Sequence, residues 1–462
     1  MFYPKWNNTA TESPLGWDAC TYYWYLPATF IYKDLKQQKF GDSIIAKYGF
    51  TSGFCQSYLY EGGNRVITYS SGVAVLELPA FTIAHILARP LGYPADGFSK
   101  PYQVAIQLWG VLAGLLGLWY FRRLLLLYFS DKATAITLFL LVVGTNYLNY
   151  AAIDVTITHS YLFTIYVFLL LNTHHFYTTP KRKYAVRIGL LTGLAILVRP
   201  SEMVAALIPL LWGVQSLSVT SFKKQFGFIR QHSGYIFLSA MCVLAVCSVQ
   251  VVYWLYVTGN PFVYSYDDKT FSWLSPHTWP YLTDATSGWL RYNPMILFIF
   301  IGLIPFIRYG SNRVAILTFF IVDLYIVSAW DVWWYSGIGG RAMIQSYVVL
   351  FFIAATFIQY LLERKWRIVA AIPFLLLFAY INLWVVYNAH CADSLYDCQH
   401  MSNRYYWAVV GRFNVPAYTV RYKDTDEYYD GTPRNMKLLY ANNFEADTTA
   451  ANVEPIAGER SL

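Results

Sequence analysis

Long apolar runs recur along this chain, separated by short polar stretches that carry most of its basic residues. Ten runs read as membrane-crossing helices: 101–121, 133–150, 155–172, 185–200, 202–217, 234–258, 289–307, 314–330, 342–362 and 368–388. A spanning helix takes about 20 apolar residues, and several of these runs fall slightly short of that. Period-2 alternation is absent, so backbone groups in lipid would be satisfied within helices and not in a closed barrel. The pattern predicts an all-α polytopic membrane protein with a bundle of about ten helices over 101–388. An outer loop over 1–100 precedes the bundle. A polar tail over 389–462, rich in Tyr and Asn, follows it and reads as a small irregular or β-containing appendage.

Basic clusters give the bundle a direction. They are Arg122-Arg123 with Lys132, Lys181-Arg182-Lys183 with Arg187, Lys223-Lys224 with Arg230, Arg308 with Arg313, and Arg364-Lys365 with Arg367. Each falls in an alternate connection, and such loops are retained on the cytoplasmic side. The other connections then face outward: 1–100, 151–154, around 199–202, 259–288, 331–341 and the tail. The stretch 72–88 is apolar enough to mimic another span. Counting it as one would invert every later loop, so it reads as an interfacial or re-entrant helix packed on the bundle. The outward-facing first 100 residues have no span or cleavable signal ahead of them, since Met1-Phe2-Tyr3-Pro4-Lys5-Trp6 is not a signal peptide. A first helix that this sequence lacks is therefore expected.

Composition agrees with a membrane protein and removes one class of partner. The chain is 56% hydrophobic and 13% charged, against about a quarter charged in soluble domains. Its net charge of +8 is accounted for by the basic loops, which suit anionic lipid and require no nucleic acid. Of the six cysteines, Cys242 and Cys247 sit within a span as packing residues. Cys391 and Cys398 close a short outward loop where a disulfide is expected. The cysteine spacing does not suggest a metal site.

Charged residues at span ends are the candidates for chemistry, because charge beside a bilayer is costly. Asp18 stands among aromatics in Gly16-Trp17-Asp18-Ala19-Cys20-Thr21-Tyr22-Tyr23-Trp24. It reads as a general base or as the N-cap of a helix through Tyr22–Tyr32. Tyr22 and Tyr23 would offer hydrogen-bonding or stacking surface to a substrate. Asn64-Arg65 with Tyr69-Ser70-Ser71-Gly72 leads into the interfacial stretch, with Arg65 a candidate phosphate ligand and Tyr69 a substrate contact. His159 lies near the outer end of its span, five residues after Asp154, whereas His174 and His175 lie at the cytoplasmic end. Arg199-Pro200-Ser201-Glu202 presents a cation outward, with Glu202 placed to orient it. Gly337-Ile338-Gly339-Gly340-Arg341 puts Arg341 at the start of a span, where free helix amides favour anions. Asp267-Asp268 are candidates for a metal or an acceptor. A divalent metal is left open and no other cofactor is indicated.

At these residues the chain resembles the GT-C glycosyltransferases, in particular the branch of protein O-mannosyltransferases and lipid A aminoarabinose transferases. The resemblance runs over about residues 15–390: an acid in the first outer loop at Asp18, a basic-aromatic stretch at Asn64–Gly72, Gly193-Leu194-Ala195-Ile196-Leu197-Val198-Arg199, and a late Gly-Gly-Arg at 339–341. It implies an all-helical bundle with interfacial helices, acting on a polyprenyl-phosphate sugar and usually inverting the anomeric centre. The acceptor would be a glycan, lipid or protein, and the site would lie on the periplasmic face of a bacterial inner membrane. Asp18 would take the acceptor's proton, and Arg341 and Arg199, with Arg65, would neutralise the departing phosphate. The chain departs from the family in three places: no helix precedes the acidic loop, His159 stands where many relatives have Asp, and Ala19 follows Asp18 where mannosyltransferases pair two acids. The rival readings are a lipid or oligosaccharide transporter or flippase, a polymer ligase, and a non-catalytic membrane scaffold.

Overall fold

The computed structural model describes residues 4–266, 269–334, 337–390, 396 and 400–423. The chain enters through two 3-10 turns and three short helices, α1 (Asp18–Tyr23), α2 (Tyr25–Phe30) and α3 (Gly41–Tyr48), then an antiparallel hairpin of β1 (Ser57–Leu59) and β2 (Arg65–Ile67). The interfacial stretch is helix α4 (Gly72–Ala88), packed against α1 and against the first long helix, α5 (Lys100–Leu125). There follow α6 (Asp131–Gly144), α7 (Tyr147–Ala152), α8 (Thr158–Thr178), α9 (Arg182–Val198), α10 (Leu207–Leu211), α11 (Val219–Gln231) and α12 (Ser233–Thr258). The second half holds α13 (Thr278–Thr283), α14 (Trp289–Tyr292), α15 (Leu297–Tyr309), α16 (Arg313–Ala329), α17 (Tyr347–Leu362), α18 (Lys365–Ala389) and α19 (Asn403–Val409). Among the described residues, α5, α12 and α18 are each long and apolar enough to cross a membrane.

Small residues let the helices approach closely. Cβ atoms at Gly189 and Gly193 of α9 would lie 2.2 Å from the Ser239 carbonyl oxygen and 2.9 Å from Val246 Cβ of α12. This Gly-x-x-x-Gly seam is a common way to bring two apolar helices together where lipid offers no hydrophobic drive. Cys242 and Cys247 sit on the same contact, as packing residues. The α4 start is equally tight: a Cβ at Gly72 would lie 2.3 Å from the Val198 nitrogen, which seats α4 on the end of α9.

Three of the ten expected spans are interrupted, and the interruptions are informative. The run 133–150 breaks between α6 and α7, and Asn146 at the break donates to the Ile338 and Gly339 carbonyls while accepting from Tyr347. The run 289–307 breaks at Asn293-Pro294, because proline has no N–H to continue the ladder. Asn293 also donates to the Gly339 carbonyl at 2.8 Å and accepts from the Asn146 backbone. The run 202–217 is a 3-10 turn over Pro200–Ala206 followed by the short α10. Each break adjoins or holds a loop that carries a candidate arginine.

The basic connections gather at one end. Tyr128 meets His174 and Asn312, Ser130 meets Gln359, and Arg313 meets the Gln215 carbonyl. The other end gathers Asp18, Tyr69, Asp154, Arg199 and Arg341. The described part of the tail is not a separate appendage: Tyr405, Tyr406 and Val409 of α19 are buried in the main core, and Trp384 of α18 donates to the Arg412 carbonyl. It is helical, not β. The pair Cys391 and Cys398 lies outside the described residues.

Candidate active site

Asp18 opens α1, but it is not a cap. The N-cap is Trp17, held at φ +50°, and no side chain caps the helix. A positive φ on a tryptophan costs on the order of 1–3 kcal/mol and is sustained by its surroundings. Here the Trp17 N–H donates to the Phe50 carbonyl at 3.0 Å. Asp18, the next residue, meets the late glycine loop. Asp18 Oδ2 accepts from Arg341 Nη2 at 2.9 Å, and Asp18 Oδ1 accepts from the Tyr69 hydroxyl at 3.0 Å. Tyr69 is stacked on Tyr22 with ring centroids 4.5 Å apart, and Tyr25 pins the Tyr69 carbonyl at 2.7 Å. Burial pushes the Tyr69 phenol well above its ordinary range, and the Asp18 charge pushes it further, so Tyr69 remains a proton donor to Asp18.

The glycines serve the fold before any ligand. Gly340 has φ +69°, and a Cβ there would lie 2.2 Å from Trp289 Cδ1. At Gly337, φ +117°, a Cβ would meet the Tyr150 hydroxyl at 2.4 Å and Arg341 Cδ at 3.1 Å. The close approach is therefore to this chain's own aromatics and to the stem of Arg341. Arg341 does not begin a long helix, as the sequence reading expects. It begins a 3-10 turn over Arg341–Met343, and α17 starts at Tyr347.

Gln345 ties the rest of the constellation to that turn. It donates to the Ala342 carbonyl at 2.7 Å and to Glu202 Oε1 at 2.8 Å, and His159 Nδ1 lies 3.5 Å from its Oε1. Glu202 Oε2 also accepts from Tyr166 at 2.6 Å. Arg199 lies within electrostatic reach of Tyr22, His159 and Glu202. Asp323 of α16 accepts from Ser346, the residue after Gln345, and so adjoins this cluster. A loop covers one side: Tyr266 lies 6.1 Å from Tyr69 and 5.4 Å from Trp330 between ring centroids, and Asp331 accepts from Thr270 and Ser272.

Of the sequence candidates, the structure brings Asp18, Tyr22, Tyr69, His159, Arg199, Glu202 and Arg341 to one end of the bundle. The side chains of Tyr23 and Arg65 point to other partners. Tyr23 is fully buried between Phe81 and Phe98 and donates to the Gly97 carbonyl. Arg65 lies over the Phe54 ring at 4.7 Å and donates to the Ser57 carbonyl at 3.3 Å, in the hairpin. Asp267 and Asp268 fall outside the described residues. Among the described residues no group of three or more His, Cys, Asp or Glu is placed to hold a metal ion.

Gln345, Tyr166 and Glu77 escape the sequence reading. Gln345 lies in the turn between Arg341–Met343 and α17, and no helical spacing singles it out. Glu77 is a fully buried acid in the apolar α4, accepting from Tyr161 at 3.1 Å, and a lone acid in an apolar run is itself a signal. Lys5 also escapes it. Lys5 pairs with Asp154, whose other oxygen accepts from Asn149 Nδ2 at 2.9 Å, and Asn149 in turn meets His390.

That last cluster gives a pH prediction. Burial alone would raise the Asp154 carboxyl, but Lys5, His390 and Asn149 outweigh it and hold the group well below the usual carboxylate range. A depressed folded pKa contributes stability that is present above the unfolded value of about 3.9 and is lost as pH falls through the folded one. Asp154→Asn should therefore melt lower than the parent by a constant margin at pH 5–8, about 1–3 kcal/mol. The margin should shrink only in strong acid. Thermal unfolding of the purified chain across pH checks this, and a margin that vanishes near pH 5 would contradict it.

No family model matches the chain, and no curated protein does. Solved structures that it is similar to include the crystal structure of the Archaeoglobus fulgidus oligosaccharyltransferase, tethered by a disulfide to an acceptor peptide containing the NVT sequon. That match has 12% identity and TM-score 0.41, covering 72% of this chain and 47% of that one. Another is the archaeal oligosaccharyltransferase of the same organism in complex with an inhibitory peptide and a dolichol-phosphate. It has 12% identity and TM-score 0.45, covering 85% of this chain and 53% of that one. The chain spans about half the length of these solved structures.

Proposed function

We propose that this protein is an integral-membrane glycosyltransferase. In this reading it moves a sugar from a polyprenyl-phosphate donor to an acceptor at the non-cytoplasmic face. The observation that carries it is the contact between Asp18 and Arg341, 2.9 Å apart and partly open to solvent. A donor whose phosphate docks on Arg341 would hold its anomeric carbon near the Asp18 carboxylate. The acceptor hydroxyl or amine attacks that carbon as its proton passes to Asp18. The bond from the anomeric carbon to the phosphate oxygen breaks, and polyprenyl phosphate leaves. Arg341, supported by Arg199, meets the charge that builds on the phosphate. Tyr69 orients Asp18 by donating to the oxygen that Arg341 does not hold.

Purified chain in lipid, given polyprenyl-phosphate carrying a labelled sugar and a membrane extract as acceptor source, should pass label to the acceptor and release polyprenyl phosphate. Stable donor under all acceptor conditions would contradict the reading. Sidedness is tested separately. Cysteines introduced in 278–283 should react with an impermeant reagent on intact cells, and cysteines in 181–187 should be protected. The reverse pattern would place the Asp18 cluster on the cytoplasmic side.

A further inference from the structure

The second independent feature is helix α11, at the opposite end of the bundle from Asp18. Its sequence, Val219-Thr-Ser-Phe-Lys-Lys-Gln-Phe-Gly-Phe-Ile-Arg-Gln231, contains no acid. One face is anchored to the protein: Phe228 stacks on Tyr177 of α8 at 4.7 Å, and Gln225 donates to the Leu210 carbonyl at 2.7 Å. The other face is exposed among the described residues. Val219, Phe222 and Phe226, spaced i, i+3, i+7, form an outward apolar stripe, and Phe226 is 68% exposed. At 100° per residue, Lys223 and Arg230 fall directly beside that stripe, and Lys224 falls about 140° round from Val219, away from the stripe. All three are exposed, as are Lys181, Arg182 and Lys183, which follow the end of α8 on which α11 rests.

We propose that α11 lies in the plane of the membrane surface, with its phenylalanine stripe sunk among acyl chains and its basic edge gripping anionic lipid headgroups. The occupant is identified by continuity and by charge. After the single residue His232 the chain becomes α12, apolar and, away from its seam with α9, largely exposed, so the C-terminal end of α11 stands where the lipid that covers α12 must end. A helix at that level with exposed Phe on one arc and Lys and Arg along the next has the make-up of an in-plane anchor. Long basic side chains can run their methylenes along the apolar stripe and reach outward to phosphates. Six exposed basic residues at one corner attract an anionic surface, by about fivefold in affinity for each charge. This inference rests on the membrane reading of α12 and not on the proposed chemistry.

Amide hydrogen exchange of the full chain in lipid nanodiscs tests it. In the parent, Val219–Gln231 should exchange at least about tenfold more slowly in nanodiscs containing phosphatidylglycerol than in phosphatidylcholine alone. The triple variant K223Q/K224Q/R230Q should lose that difference. F222S/F226S should exchange quickly in both lipids. Exchange in α8 and α9 should stay as in the parent, which shows that the variants fold. Equal exchange of α11 in the two lipids, fast or slow, would overturn the proposal, because a partner protein or plain apolar insertion would not sense lipid charge. Persistence of the difference in the triple variant would overturn it as well.

Discussion

Replacing Arg341 by alanine is expected to lower sugar transfer by about 10²–10³-fold, the usual cost of removing a fixed donor from developing negative charge. Its effect on folding should be small by comparison. The Asp18 carboxylate is 32% exposed, so a lost ion pair there is screened and worth about 1 kcal/mol or less. Tyr69 would still donate to Asp18. Arg341→Lys restores charge without the planar fork that serves phosphate and carboxylate at once, and it should recover only part of the rate. Arg199→Ala should weaken donor use in the same direction. Turnover with polyprenyl-phosphate sugar, measured beside melting temperature, separates these effects. An Arg341→Ala protein with parental turnover would make that arginine structural.

The parts of this molecule that the sequence discloses are those written in local composition. Apolar runs between basic loops mark the helices, and the alternation of those loops puts Asp18, Arg199 and Arg341 on one side before any contact is known. The contact itself joins residues 323 positions apart, yet both stand out as charges in aromatic or glycine-rich stretches. What stays hidden depends on direction. Tyr22 and Tyr23 are neighbours in sequence, but successive helix positions turn by about 100°. One ring therefore meets Tyr69 and the other enters the packing around Phe81. Arg65 carries the right charge on a strand that folds back on its own hairpin. Hydropathy passes over the breaks at Asn146 and at Asn293-Pro294, and the carbonyl of Gly339 that both asparagine side chains hold is too distant in sequence to be read there. Glycines that read as room for a ligand are occupied by Trp289 and Tyr150.

The Asp18→Asn protein tests the central claim most directly. Asparagine keeps the shape and can still accept from Tyr69, but it cannot take a proton from the acceptor. Since Asp18 does not cap α1, the change removes no helix-end bond, and insertion and folding should match the parent. A positioned base contributes about 10²–10⁴-fold in rate, so single-turnover transfer should fall by at least about 10²-fold. Binding of polyprenyl-phosphate sugar, measured on the same preparation, should be kept or tightened, because Arg341 no longer shares its charge with a carboxylate. Parental transfer by Asp18→Asn would end the assignment of the base, and loss of donor binding together with transfer would mean that Asp18 shapes the site without doing its chemistry.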